Sequence, residues 1–137
     1  MDIVSHGLWG GIAFGRNNRR NFGLAFCFGM LPDLCAFGPF YLTVVLGLAE
    51  RPHFGHEPPD PSLFPDYVHR VYSVTHSLVV FLVAFALLWV VVRKPIWEAC
   101  AWGLHILVDI FTHSSRFFPT PFLWPISDVT VNGWPWW

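Results

Sequence analysis

The chain has 137 residues, of which 54% are hydrophobic, 18% aromatic and only 12% charged. Soluble domains carry about 25% charged residues, so half of the usual polar coat is missing, which excludes disorder and an ordinary soluble enzyme. The net charge of −1 and the scatter of eight Lys and Arg residues exclude a nucleic-acid-binding face.

Residues 3–15 form a first apolar run free of Asp, Glu, Lys and Arg. No positively charged stretch precedes it, so it reads as a retained helix rather than a cleaved signal. Gly7, Gly11 and Gly15 recur at spacing four and predict a groove where a neighbouring helix approaches closely. A basic loop follows, with Arg16, Arg19 and Arg20. The second segment, residues 21–49, is interrupted by Leu31-Pro32-Asp33. Proline disfavours a helix interior, so a break is expected there, with Asp33 free to cap the next piece. The stretch before it spans roughly 18 Å, short of a hydrocarbon core of about 30 Å, which leaves Asp33 within the membrane.

Residues 50–66 are polar and proline-rich and read as a loop. Residues 71–92 form the clearest spanning segment, ending at Arg93-Lys94. Pro95 opens a fourth segment that runs to Phe111 and carries Glu98, His105 and Asp109. In the tail, Trp124, Trp134, Trp136 and Trp137 fit a membrane-interface belt. Cys27, Cys35 and Cys100 lack CxxC spacing and read as small buried hydrophobes. The fold expected is an all-α, polytopic membrane helical bundle of about four segments, one domain over residues 1–137.

An ionisable side chain inside a spanning segment costs about 2.5–3.5 kcal/mol and is kept because it pairs, binds or lines a cavity. His105 and Asp109 are four apart and share a helix face. Imidazole nitrogen and carboxylate oxygen at that spacing suit a divalent transition metal such as zinc or manganese. The competing reading is a neutral His donating to Asp109 and joining two helices. His69 and His76 are seven apart and, on one continuous helix, face the same way. With four crossings, the loops holding Arg16, Arg19, Arg20 and Arg93, Lys94 lie on one side, which the positive-inside rule makes cytoplasmic. His6, Asp33, His69, His76, His105 and Asp109 then gather toward the opposite face. One metal site accounts for that convergence better than six separate local explanations.

These residues also carry a family likeness. His6-Gly7, Leu31-Pro32-Asp33-Leu34, His69-Arg70, Thr75-His76-Ser77-Leu78 and His105-Ile106-Leu107-Val108-Asp109 occur in order, followed by Pro121-Phe122-Leu123-Trp124-Pro125. The chain resembles the YdjM-like family of bacterial inner-membrane, predicted metal-dependent hydrolases. The resemblance implies a helical membrane fold with metal ligands at His6, Asp33, His76, His105 and Asp109. Two features depart from it. Cys35 stands where the family often has a second acid, and six residues separate His69 from His76. A thiolate at Cys35 would itself be a zinc ligand. A weaker similarity to soluble zinc-dependent phospholipases C and nucleases makes His113 a candidate for a later ligand.

Two functions follow. As an enzyme, the protein would use the metal to activate water and polarise a phosphoryl or carbonyl oxygen. Asp33 or Asp109 would be bridging ligand or base, His69 or His113 the proton carrier, and Arg70 a phosphate contact. The substrate expected from location is a lipid-like phosphoester, and the surrounding partner is membrane lipid. Alternatively, the same residues form a structural metal site or polar core in a membrane scaffold or conduit. An open coordination position would mark the enzyme, a closed one the structural site.

Overall fold

The computed structural model describes residues 2–53 and 57–134; all of its regular structure is helical. Five α-helices follow in order: α1 (Ile3–Phe14), α2 (Arg19–Val45), α3 (Asp66–Thr75), α4 (Leu78–Val92) and α5 (Cys100–Thr112). Short 3-10 turns at Pro61–Leu63 and Trp97–Ala99 precede α3 and α5. Each of the first two helices starts on a side-chain cap. Asp2 accepts from the Ser5 amide at 2.9 Å, and Asn18 accepts from the Asn21 amide at 2.9 Å. These bonds satisfy amides that the helix itself leaves without partners.

Residues α1, α2 and α5 pack together, and their register is set by small residues. A Cβ added to Gly10 would lie 2.8 Å from both the Ala101 Cβ and the Ala25 carbonyl. One added to Gly29 would lie 2.5 Å from the His6 carbonyl. The expected glycine groove is therefore present, with Gly7 and Gly11 against Phe26 and Phe22 of α2. The pairings Ala25–Ala101 and Gly29–His105 run in the same sense, so α2 and α5 are parallel and α1 is antiparallel to both. Consequently the α1–α2 turn and the residues leading into α5 lie at one end of the molecule. His6, Asp33, His105 and Asp109 lie deeper.

Three expectations from sequence are corrected. The second segment does not break at Pro32: α2 runs unbroken for 27 residues through Pro32 and Pro39. Asp33 is therefore a mid-helix residue rather than a cap. Proline removes one hydrogen bond and crowds the preceding turn, which a membrane helix tolerates when neighbours satisfy the freed groups. Around Pro32, the Pro32 carbonyl accepts from the Thr75 hydroxyl at 3.3 Å and the Gly29 carbonyl accepts from the His105 ring at 2.7 Å, which ties this part of α2 to α3 and α5.

The third segment does break. α3 ends at Thr75, α4 starts at Leu78, and the two are bent by 61°. The tail meets the groups this exposes: the Leu78 amide donates to Phe122 O at 2.9 Å and the Ser77 hydroxyl donates to Trp124 O. The Ser77 oxygen also accepts from the Val80 amide, capping α4, and Trp102 donates its indole N–H to Thr75 O at 2.7 Å. On length and apolarity, α2 is a candidate membrane span and α3–α4 a second if the bent pair is one span. The regular structure is thus all-helical, with one or two candidate spans among the described residues.

Cysteine burial is the third correction, since Cys27 and Cys35 are exposed and Cys100 is half-buried. On an apolar helix surface their small side chains face outward with Leu24, Leu31 and Leu34. Of the tail tryptophans, Trp134 is exposed and Trp124 half-buried, whereas Trp136 and Trp137 lie outside the described residues.

Candidate metal centre

The buried face of α2 reads Ala25, Gly29, Pro32, Asp33, Ala36 and Phe40, a helical stripe of small and aromatic groups interrupted by one carboxylate. On α5 the buried face carries His105 and Asp109 one turn apart. His76 caps the end of α3, at the bend, and His6 comes from α1 where Gly29 admits its backbone. Four elements thus deliver ionisable side chains to one interior point. His76 and Asp109 are fully buried, and His6, His105 and Asp33 are 2%, 1% and 5% exposed.

Ligand atoms of Asp33, His76, His105 and Asp109 all lie within 4.8 Å of one another. The two imidazole Nε2 atoms are 3.0 Å apart. His105 Nε2 is 3.2 Å from Asp109 Oδ2 and 3.8 Å from Asp33 Oδ1. His76 Nε2 is 3.4 Å from Asp33 Oδ1 and 3.6 Å from Asp109 Oδ2. Donors that share one ion at about 2.0–2.2 Å sit about 3–3.6 Å from each other. The cluster has the dimensions of a first coordination sphere.

Ring tautomers follow from the outer partners. His105 Nδ1 faces Gly29 O at 2.7 Å, and His76 Nδ1 faces Tyr72 O at 3.1 Å. A carbonyl only accepts, so His105 Nδ1 carries a proton toward Gly29 O, while His76 Nδ1 has Tyr72 O and the Thr75 hydroxyl both at 3.1 Å. The two Nε2 atoms then meet at 3.0 Å beside two carboxylates, a gap that one shared proton or one cation closes. The donor set therefore fits a divalent metal, with the outer carbonyls orienting its imidazoles.

The remaining polar groups extend the cluster along α5. His6 Nε2 lies 2.9 Å from Asp109 Oδ1, with the His6 ring stacked on His105 at 3.7 Å between centroids. His113 Nε2 is 3.4 Å from the same oxygen. Its Nδ1 is 2.8 Å from Phe118 O and 2.9 Å from the Tyr72 hydroxyl, which itself donates to Phe118 O. Tyr72 stacks on His76 at 3.7 Å, so one phenol ring supports two of the histidines.

Five sequence-derived ligand candidates, His6, Asp33, His76, His105 and Asp109, are thereby brought together. His6 reaches Asp109 and stands beside the four-residue group. His113 joins through Asp109. His69 and Arg70 do not join. His69 stacks on Phe118 at 4.8 Å with Nε2 3.1 Å from Pro61 O, and Arg70 is exposed. Cys35 is exposed on the opposite side of α2 from Asp33, as two residues on a helix require, so it supplies no thiolate. Sequence reading missed Tyr72 and the carbonyls of Gly29 and Phe118. Tyr72 carried a signal, being four residues before His76. The backbone acceptors carried none.

A family model for the YdjM inner membrane protein matches residues 1–137, the whole chain, which therefore belongs to that family. Comparison with curated proteins and with solved structures returned no match for either.

Proposed function

We propose that this member of the YdjM family is a membrane-embedded, divalent-metal-dependent hydrolase acting on a lipid-like phosphoester. The observation that carries the metal reading is the convergence of two inward-facing imidazole nitrogens and two carboxylates within 4.8 Å of one another. Zinc or manganese suits those donors. Asp33, His76, His105 and Asp109 would hold the ion. When bound, it supplies Lewis acidity toward a phosphoryl oxygen.

The chain's own groups have separable tasks. Gly29 O and Tyr72 O hold the His105 and His76 rings with Nε2 inward. Asp109 receives or holds a proton at Oδ1, where His113 Nε2 is 3.4 Å away. His113 thus takes the proton-carrying role that His69, turned toward Pro61, does not reach. Arg70, being exposed, is a headgroup contact outside the cluster. The all-nitrogen-and-oxygen donor set favours catalysis, because structural zinc sites are built largely on thiolates.

One observation favours a second reading. All four donors are at most 5% exposed, as a structural ion joining α2, α5 and the α3–α4 bend would require. Placement toward the non-cytoplasmic side is supported by Arg16, Arg19 and Arg20 sharing one end of the molecule with the entry to α5.

Detergent-purified protein, prepared without chelator, is expected to retain a divalent transition metal and to hydrolyse members of a phosphoester and lipid-headgroup panel. Turnover should vanish with chelator and in His76→Ala. Retained metal without turnover across the panel would favour the structural reading, and absence of metal would refute both.

A further inference from the structure

The eight Lys and Arg residues are scattered along the sequence, yet the fold gathers five of them at one end. Arg16, Arg19 and Arg20 occupy the α1–α2 turn and the first turn of α2, and Arg93 and Lys94 follow α4. Phe81 packs on Trp102 and Phe85 on Trp97, with ring centroids 5.7 and 6.3 Å apart, so α4 runs antiparallel to the start of α5. The 3-10 turn at Trp97–Ala99 packs against α1 and α2, which brings the end of α4 to the side of the α1–α2 turn. We propose that this end of the protein binds anionic phospholipids, whose headgroup phosphates are met by Arg16, Arg19, Arg20, Arg93 and Lys94. The surface needs no ion in the metal centre, since about 20 Å separate Arg20 from Asp33 along α2.

These cations lack an internal counter-charge. All five are exposed, and none is ion-paired among the described residues. Of the nine acidic residues, only Glu98 falls within the segments 15–21 and 92–100 that form this end. Arg19 and Arg20 stand in the first turn of α2, which holds no acidic residue and where the aligned peptide dipoles already concentrate positive charge. Arg93 takes the left-handed conformation, with φ 61° and ψ 14°, that glycine or asparagine adopts at least cost after a helix. A cation is kept there against the preference of the backbone. An external anion relieves both the mutual repulsion of the five and the opposition of the helix dipole.

Apolar surroundings select a lipid over a soluble anion. Trp89 and Trp97 are exposed beside the cations, the placement of aromatic rings at a headgroup layer. Along α4, Ala86, Trp89, Val90 and Arg93 line a groove of about 360 Å³, apolar up to the guanidinium. A phosphate on Arg93 leaves the lipid's acyl chains to lie against Val90 and Ala86. Clusters of four or more Lys and Arg beside a membrane helix attract anionic headgroups, each cation contributing about fivefold in affinity.

The test reconstitutes the full-length protein in phosphatidylcholine vesicles and compares spin-labelled phosphatidylglycerol with spin-labelled phosphatidylcholine by electron paramagnetic resonance. Wild type is expected to hold the anionic probe at least about threefold more strongly at low salt. The preference should fall toward unity at about 0.5 M salt, where headgroup charges are screened. A variant carrying Arg16→Gln, Arg19→Gln, Arg20→Gln, Arg93→Gln and Lys94→Gln should lose it. Arg51→Gln with Arg116→Gln, which removes two exposed cations beyond the far ends of α2 and α5, should keep it. If the five-site variant fails to insert, Arg93→Gln with Lys94→Gln is expected to lower the preference about twofold. Equal retention of the two probes by wild type would overturn the proposal and leave the cations to topology alone. So would a preference that survives the five-site variant, or one that vanishes in Arg51→Gln with Arg116→Gln.

Discussion

Helix α4 and the α1–α2–α5 interior are opposites in composition and in burial. α4 is apolar along its whole length, yet only Phe81 is buried, while Leu82, Leu87, Val90 and Val91 are more than half exposed. The interior between α1, α2 and α5 holds two carboxylates and three imidazoles at 5% exposure or less. In water both arrangements would be costly. In a bilayer the first is cheap, because lipid tails solvate leucine and valine as well as a protein core does. The second is then the place where the free energy is concentrated, since charges in a low-dielectric interior must be paired or bound to a metal. Outward apolar surface suits α4 to contact with lipid, and inward ionisable groups suit the three-helix junction to holding an ion.

That contrast is most exposed at His105. His105→Ala removes the partner that faces Asp109, Asp33 and Gly29 O together, leaving Asp33 with His76 alone and Asp109 with His6, His76 and His113. Stability should fall by about 3–5 kcal/mol, as for breaking a buried pair from one side. Unfolding in detergent, followed by circular dichroism, measures it. A loss below about 1 kcal/mol would mean that water already reaches the cluster.

A smaller effect is expected from the backbone crossing that seats His6. Gly29→Ala sets a methyl 2.5 Å from His6 O and 3.2 Å from Gly7 Cα, so α1 itself must shift. The cost should be about 1–3 kcal/mol, the range for overpacking. Gly23→Ala, where nothing lies within 4 Å of the added Cβ, should be neutral or stabilising by up to about 1 kcal/mol. Equal effects at the two glycines would contradict the close α1–α2 approach.

Least of all should happen on α4. Leu87→Ala, at a site 61% exposed, is expected to change stability by less than about 0.5 kcal/mol and to leave metal content unaltered. A loss above about 2 kcal/mol would show that protein rather than lipid covers this face.

Much of the interior was legible because its residues break an apolar pattern. His105 and Asp109 at i, i+4 predict a shared face from helix geometry alone, and His6, Asp33 and His76 stand out as polar groups in apolar runs. Helix continuity was harder to read. Pro32 carries a strong local breaking signal, but Thr75 and His105 satisfy carbonyls around it, and those partners are 43 and 76 residues away in sequence. Conversely, residues 71–92 look unbroken, while Ser77 caps a new helix and the break finds its partners in the tail carbonyls of Phe122 and Trp124, far along the chain. The seven-residue spacing of His69 and His76 misled for the same reason. His76 sits past the end of α3 with φ −103° and ψ 22°, so helical periodicity no longer relates the two rings.

X-ray absorption at the edge of the metal retained by the purified protein tests the central claim most directly. The Asp33–His76–His105–Asp109 centre predicts a first shell of nitrogen and oxygen alone, at about 2.0–2.2 Å, with the outer-shell scattering of imidazole rings. Both the shell and the metal should be lost in His105→Ala. A sulfur scatterer near 2.3 Å, or a spectrum unchanged by His105→Ala, would place the ion on other residues and contradict the account.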